Sequence, residues 1–250
     1  MTLNWTGRCT RGALVALALV LPSAALAAAK ARAPSASPPD WSGVWANDNG
    51  GVGPGGPLNL PLRPEAKAKF DDYKAMVAPT GDTPGGVCLG AGMPSVILSG
   101  ASYPLEVIQK PDQITLIWEL HGDTRRIYFG KRNAPPDDRL PGRNGYSSGR
   151  WEGQTLVVET DNLVEQFDGP IPHSANAKVT ERFTVETGKD GKRRLKSAFT
   201  VVDPEFYTAP MTATKTWTFF PGGRLLPYEC AEEVWQKRLE QLAREKAASK

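Results

Sequence analysis

The stretch Val179–Val185, with the sequence VTERFTV, decides the fold because it has the pattern of a β-strand that carries a carboxylate on its apolar face. Successive side chains of a strand point to opposite faces, so Glu181 shares a face with the two valines and the phenylalanine. The stretch Met211–Phe219 alternates in the same way and places Lys215 on the face of Trp217. Because charges are rarely buried unless they are paired or line a wet cavity, both strands predict an interior with a polar function.

The first 27 residues have the pattern of a signal peptide. Arg8 and Arg11 precede an apolar run at Gly12–Leu21, and Ala25–Ala27 matches an A-x-A cleavage site. We therefore expect a mature chain that begins near Ala28 and belongs to a periplasmic or secreted protein.

The mature chain has a nearly balanced charge. Removal of the first 27 residues takes away two arginines and no acids, which leaves 28 basic and 27 acidic side chains. Nucleic-acid binding depends on a strong basic excess, so we expect no nucleic-acid partner. No later run approaches the roughly 20 apolar residues of a membrane-spanning helix, so we expect no membrane span.

The composition divides the rest of the chain into three parts. Residues 28–39 are rich in Ala, Pro and Ser and predict a flexible lead-in, residues 40–230 predict a single β-barrel domain, and residues 231–250 predict a charged C-terminal helix. A further helix is expected to begin at Pro64, since proline suits the first turn, and to end before Pro79.

Nine short strands are predicted between turn signals that contain Gly, Pro or Asp. Repeated antiparallel hairpins with one apolar face favour a closed, calycin-like barrel, with a two-sheet β-sandwich as the alternative. The predicted strands are Leu105–Gln109, Gln113–Glu119, Arg125–Phe129, Gly145–Trp151, Thr155–Asp161, Lys178–Glu186, Arg194–Asp203, Met211–Phe220 and Leu225–Glu229.

Two cysteines, Cys88 and Cys230, remain after the predicted cleavage. In an oxidising compartment an isolated pair favours a disulfide that closes a long loop and contributes about 2–4 kcal/mol. Two free, buried thiols are the alternative.

The motif Gly43-Val44-Trp45 resembles the G-x-W start of lipocalins and other calycin barrels. In those barrels the tryptophan fills the closed end beneath a basic side chain from a late strand. The resemblance implies this position for Trp45, with Lys215 as the basic counterpart through a cation–π contact.

A wider resemblance covers most of the mature chain. The residues that carry it are Tyr103–Gln109, Gly149–Thr160, Pro172–Ser174, Glu181–Phe183 and Asp203–Pro204. They resemble a functionally uncharacterised family of secreted bacterial proteins, and this resemblance implies no activity.

The segment Gly145–Gly149 matches G-x-S-x-G, with Asp161 and His173 further along the chain. In a serine hydrolase this motif joins a strand to a helix. The residues that follow here predict a strand instead, so we expect the glycines to shape a turn.

The two histidines, His121 and His173, are far apart and lack the spacing of metal ligands, and no cofactor motif is present, so we expect neither a metal nor a cofactor. His173 follows a proline-rich loop near a predicted barrel mouth, where it would act as an acid or base or would simply cap local backbone.

Glu181 and Lys215 are the other candidate catalytic residues. A single buried ion pair that only specifies register is the alternative for these two.

The leading hypothesis is a barrel that binds a small, partly apolar molecule carrying an anionic or hydrogen-bonding group. The alternatives are a cofactor-independent lyase, isomerase or hydrolase that uses the same cavity, and a structural or protein-interaction domain. The strand around Arg125 can present either face to the interior. Arg125 and Ile127 face the interior in one case, and Arg126 and Tyr128 face it in the other. The candidate ligand-binding residues are Arg125, Tyr128, Trp118, Phe183, Phe199, Asp203, Trp217 and Arg150.

Overall fold

The computed structural model describes residues 1–2, 37–47, 58, 60–98 and 103–248. The fold described below belongs to the compact unit of residues 36–250. The predicted signal peptide and most of the lead-in lie outside the described residues.

The described part of the chain contains nine strands that close into one barrel, so the predicted β-barrel is confirmed and the sandwich is excluded. Strand neighbours follow chain order, and β9 pairs with β1 to close the sheet. The strands are β1 Gly43–Asn47, β2 Leu105–Lys110, β3 Gln113–Trp118, β4 Thr124–Tyr128, β5 Tyr146–Glu152, β6 Thr155–Asp161, β7 Lys178–Thr187, β8 Arg193–Val202 and β9 Met211–Phe219.

Two details of the sheet differ from the prediction. The pair β4–β5 is parallel, because residues 129–145 return the chain to the end of the barrel at which β4 began. The predicted strand Leu225–Glu229 is wrong, since these residues have no strand structure. The strand that completes the set of nine is β1 instead. It pairs with both β2 and β9, which leaves no edge of the sheet for another strand.

Three α-helices lie in the described residues: α1 Pro64–Val77, α2 Ser95–Leu98 and α3 Cys230–Ala248. The helix α1 begins at Pro64 and ends before Pro79, as predicted, and buries Ala66. The helix α3 buries none of its described side chains, and Trp235 remains 54% exposed. None of the described helices is long and apolar enough to cross a membrane.

Cys88 and Cys230 form a disulfide, which confirms the pairing predicted for them. The bond joins the first residue of α3 to the segment that follows α1. The C-terminal helix is therefore covalently attached to the N-terminal third of the barrel domain.

One end of the barrel, which we call the plug end, is filled by aromatic rings. The Trp41 ring lies 5.0 Å from Trp151 and 6.0 Å from Phe183, and the Trp45 indole nitrogen donates to the Trp41 carbonyl at 2.9 Å. The cation over Trp45 is Arg193 of β8, at 5.5 Å from the ring centroid, rather than the predicted Lys215. Arg193 reaches this end because it lies at the first position of β8, whereas Lys215 lies in the middle of β9.

The opposite end, which we call the loop end, carries the long connections. At the plug end the hairpins turn within residues 111–112, 153–154 and 188–192. The loop end carries residues 162–177 between β6 and β7 and residues 203–210 between β8 and β9. Long connections on a rigid scaffold are the usual place for ligand access, so the two ends differ in functional potential.

Candidate functional site: a polar belt inside the barrel

A layer of polar side chains crosses the middle of the barrel, and we call it the polar belt. Neighbouring members are opposite or diagonal in the strand register: Ser147 faces Thr160, and Ser197 faces Lys215. Each of eight strands contributes one member, and the belt consists of Asn47, Trp118, Arg125, Ser147, Thr160, Glu181, Ser197 and Lys215.

Arg125 and Glu181 form a fully buried ion pair at the centre of the belt, with side chains 1% and 0% exposed. Arg125 reaches Glu181 across β5 and β6, where two hydroxyls hold its guanidinium. Its Nε donates to Ser147 Oγ at 2.9 Å and its Nη2 donates to Thr160 Oγ1 at 2.8 Å. The two hydroxyl oxygens also bond to each other at 2.9 Å, so the guanidinium is held in one orientation.

Four buried polar atoms of the belt have no hydrogen-bond partner among the described residues. They are Arg125 Nη1, Glu181 Oε1, Ser197 Oγ and Trp118 Nε1. Buried polar atoms are hydrogen-bonded in the great majority of cases, and leaving one unsatisfied costs about 1–3 kcal/mol. Six further buried polar atoms of the described residues have no partner and lie outside the belt, whereas these four share one layer of the barrel interior.

Lys215 is 0% exposed and faces the interior, as predicted. Its Nζ donates to Asn47 Oδ1 of β1 and lies 5.9 Å from the centroid of the Trp217 ring. The ion-pair partner of Glu181 in the belt is Arg125, which reaches the carboxylate from the other side of the barrel.

The predicted apolar lining is divided between two levels. Phe199 lies opposite Glu181 in the register, at the height of the belt. Trp217 and Phe183 lie one inward position nearer the plug end, where Phe183 packs against Trp41. The space in this apolar layer is too small to hold a water molecule. The apolar layer therefore leaves no room for a ligand on the plug side of the belt.

Two predicted ligand-binding residues lie on the outer surface of the barrel. Tyr128 alternates with the buried Ile127 and stacks on Tyr146 with ring centroids 5.3 Å apart. Arg150 pairs with two surface carboxylates of Glu152 and Glu159. The alternative that places Tyr128 in the inner set is wrong, because adjacent residues of a strand face opposite sides and Arg125 is the inner residue.

His173 is buried rather than placed at an open mouth. Its exposed fraction is 0%, and its Nδ1 lies 2.9 Å from the Ser174 carbonyl oxygen. Burial lowers the pKa of His173 below the ordinary 6.5, although that hydrogen bond and the charge of Asp203 oppose the shift. Among the described residues, no hydrogen bond connects His173 to the belt, so the three candidate catalytic residues are not brought together.

Asp203 has a structural place in the connection between β8 and β9. Its carboxylate accepts the Ser174 backbone N–H at 2.7 Å and the Ser174 hydroxyl at 2.9 Å. It also accepts the backbone N–H groups of Glu205 and Phe206. Asp203 therefore holds two loop-end connections together through four hydrogen bonds.

Sequence reasoning missed the hydroxyl members of the belt. Ser147, the centre of the G-x-S-x-G segment, lies within β5 and is followed by further strand residues, so the hydrolase elbow is absent. Thr160 and Ser197 occupy inward positions of β6 and β8. The alternation that placed Glu181 would have found Thr160 and Ser197 as well, since they are polar residues at inward positions.

No three His, Cys, Asp or Glu side chains of the described residues gather in an arrangement that would hold a metal ion. Neither a protein-family model nor a curated protein matches the chain. The interpretation of the belt therefore rests on its own residues.

Proposed function

We propose that the protein is a periplasmic or secreted binding protein that holds a small, partly apolar molecule inside its barrel. The observation that carries this proposal is the set of four buried, unpartnered polar atoms in the belt. A ligand that bonded to them would offset the desolvation cost of these four atoms.

The apolar part of the molecule would lie between the belt and the loop end. The inward positions there are apolar and buried, and they include Val179, Val201 and Met211. Binding pockets commonly combine such an apolar wall with a few polar groups that fix orientation. The arrangement of belt and wall matches that combination.

A purely structural role explains the belt less well. A buried ion pair that only fixes register would be expected to satisfy its own atoms, since a half-satisfied polar network is worse than an apolar core. Here Ser147 and Thr160 are satisfied, whereas one atom of Arg125 and one of Glu181 are not. Two of the four unpartnered belt atoms therefore belong to the ion pair itself.

The disulfide supports the proposed location. A bond between Cys88 and Cys230 persists in an oxidising compartment and would be reduced in most bacterial cytosols. Together with the signal peptide expected from the sequence, it favours export of the mature protein.

The proposal is tested by native mass spectrometry of protein purified from the periplasm without denaturants. We expect an additional small-molecule mass that is released on unfolding. The double variant Arg125→Met with Glu181→Met should fold without it, because replacing both partners of a buried pair by apolar residues is often neutral for stability.

The matched control is the surface pair Arg150→Met with Glu159→Met, which removes an ion pair without touching the interior. The control should retain the molecule. The proposal fails if the native protein carries no molecule and binds none from a metabolite extract. It also fails if the belt variant binds as well as the control.

A further inference from the structure

The four unpartnered belt atoms set requirements on what they can bind. Arg125 Nη1 and Trp118 Nε1 only donate hydrogen bonds, and a carboxylate oxygen such as Glu181 Oε1 only accepts them. Ser197 Oγ can do either. A group that satisfies all four atoms must therefore accept and donate at once.

The donors and the acceptor lie on opposite sides of one ion pair. Nη2 of Arg125 bonds to Oε2 of Glu181, so Nη1 and Oε1 are the remaining atoms of two groups already in contact. Trp118 is the diagonal neighbour of Arg125 on β3, and Ser197 is the diagonal neighbour of Glu181 on β8. The belt thus has a donor side on β3 and β4 and an acceptor side on β7 and β8.

We propose that the polar end of the ligand is an uncharged amide-class group, such as a primary amide, a lactam or a cyclic urea. Its carbonyl oxygen would accept from Arg125 Nη1 and Trp118 Nε1, and its N–H would donate to Glu181 Oε1. This inference rests on the proposed function and narrows it to one chemical class.

Charged groups fit the same atoms poorly. A carboxylate ligand would satisfy the donors, and Lys215 of the belt would offset part of its charge, but it has no hydrogen to donate to Glu181 Oε1 and would bring a second negative charge against that oxygen. An ammonium ligand would bring a further positive charge against Arg125 and Lys215. Both contacts would occur at side chains that are at most 2% exposed, where little water remains to screen like charges. An amide avoids both repulsions and leaves no belt atom of the ion pair unsatisfied.

The experiment compares four probes with the same ring: benzamide, benzoate, benzylamine and toluene. The protein is unfolded in urea with its disulfide intact, dialysed and refolded, so that any bound molecule is removed. Binding is followed by the indole N–H resonance of Trp118, assigned with Trp118→Phe. The indole of Trp45 is the internal control, because it already donates to the Trp41 carbonyl.

We expect benzamide to move the Trp118 resonance downfield and to bind at least tenfold more tightly than the other three probes, while the Trp45 resonance stays in place. In Glu181→Gln the negative charge of the acceptor is lost, whereas Arg125 keeps its positive charge. The order of probe affinities should therefore change, and benzoate should bind most tightly. If that variant does not fold, Trp118→Phe provides the second test through ring-proton saturation transfer. It should weaken benzamide severalfold and leave toluene unchanged.

Failure of this inference can be told from failure of the proposed function. If the probes move belt resonances with no preference for benzamide, or if Glu181→Gln keeps the amide preference, the chemical class is wrong and the binding function stands. If no probe moves any belt resonance and the native protein carries no molecule, both are wrong.

Discussion

Replacement of Arg125 by methionine should destabilise the protein strongly, because it leaves Glu181 buried without its counter-charge. Breaking one partner of a buried ion pair costs about 3–5 kcal/mol. The hydroxyls of Ser147 and Thr160 lose the guanidinium but keep each other, so they add little to the cost. For a domain of this size about 2–4 °C is lost per kcal/mol, which predicts a fall in Tm of about 6–20 °C.

The double variant Arg125→Met with Glu181→Met separates the charge effect from the packing effect. It should recover at least about 2 kcal/mol relative to Arg125→Met, since no charge then remains unpaired. Urea unfolding followed by tryptophan fluorescence gives both free energies. A loss of less than about 1 kcal/mol in Arg125→Met would refute the buried-pair reasoning, because such a small value is typical of exposed ion pairs. A double variant that is no more stable than Arg125→Met would refute it as well.

Three further predictions concern the disulfide, the buried histidine and the plug end. Replacing Cys88 and Cys230 together by serine should lower the free energy of unfolding by up to about 4–5 kcal/mol, because the bond spans 142 residues; an unchanged urea midpoint would contradict this. Because the pKa of His173 is lowered in the folded state, the unfolded chain binds more protons below the ordinary value of 6.5. The stability that neutral His173 contributes is therefore complete above that pH and declines as the pH falls through it. His173→Gln should show a shallower loss between pH 7 and 5 in urea titrations, and an equal slope would count against the burial argument. Arg193→Ala should cost about 1 kcal/mol and alter the near-UV circular dichroism of Trp45, because its cation lies over that ring; an unaltered spectrum would show that the contact is unimportant.

The inward positions of the charged strands followed directly from alternation. In Val179–Val185 of β7 and in β9, every second residue is apolar apart from one charge, so the parity of Glu181 and Lys215 is unambiguous. In β4 the sequence TRRIY offers an arginine at either parity. Only the closed sheet shows that Arg125 is the inner one, and only the long reach of arginine explains how it meets a carboxylate three strands away.

Other features could not be inferred from local patterns because they depend on closure of the sheet. The short strand β1 has only five residues, and its pairing with β9 is a contact between chain segments far apart in sequence. The parallel pair β4–β5 depends on the path of residues 129–145, which carry no strand alternation. The cation over Trp45 was likewise set by which residue starts β8, a boundary that alternation does not specify.

A crystal structure of the native protein at a resolution that distinguishes water from organic density tests the central claim most directly. We expect continuous density, larger than a water molecule, that contacts Arg125 Nη1 and Glu181 Oε1 and extends toward the loop end. Ordered waters alone on these two atoms, or a direct second bond between them that closes the ion pair, would contradict the account.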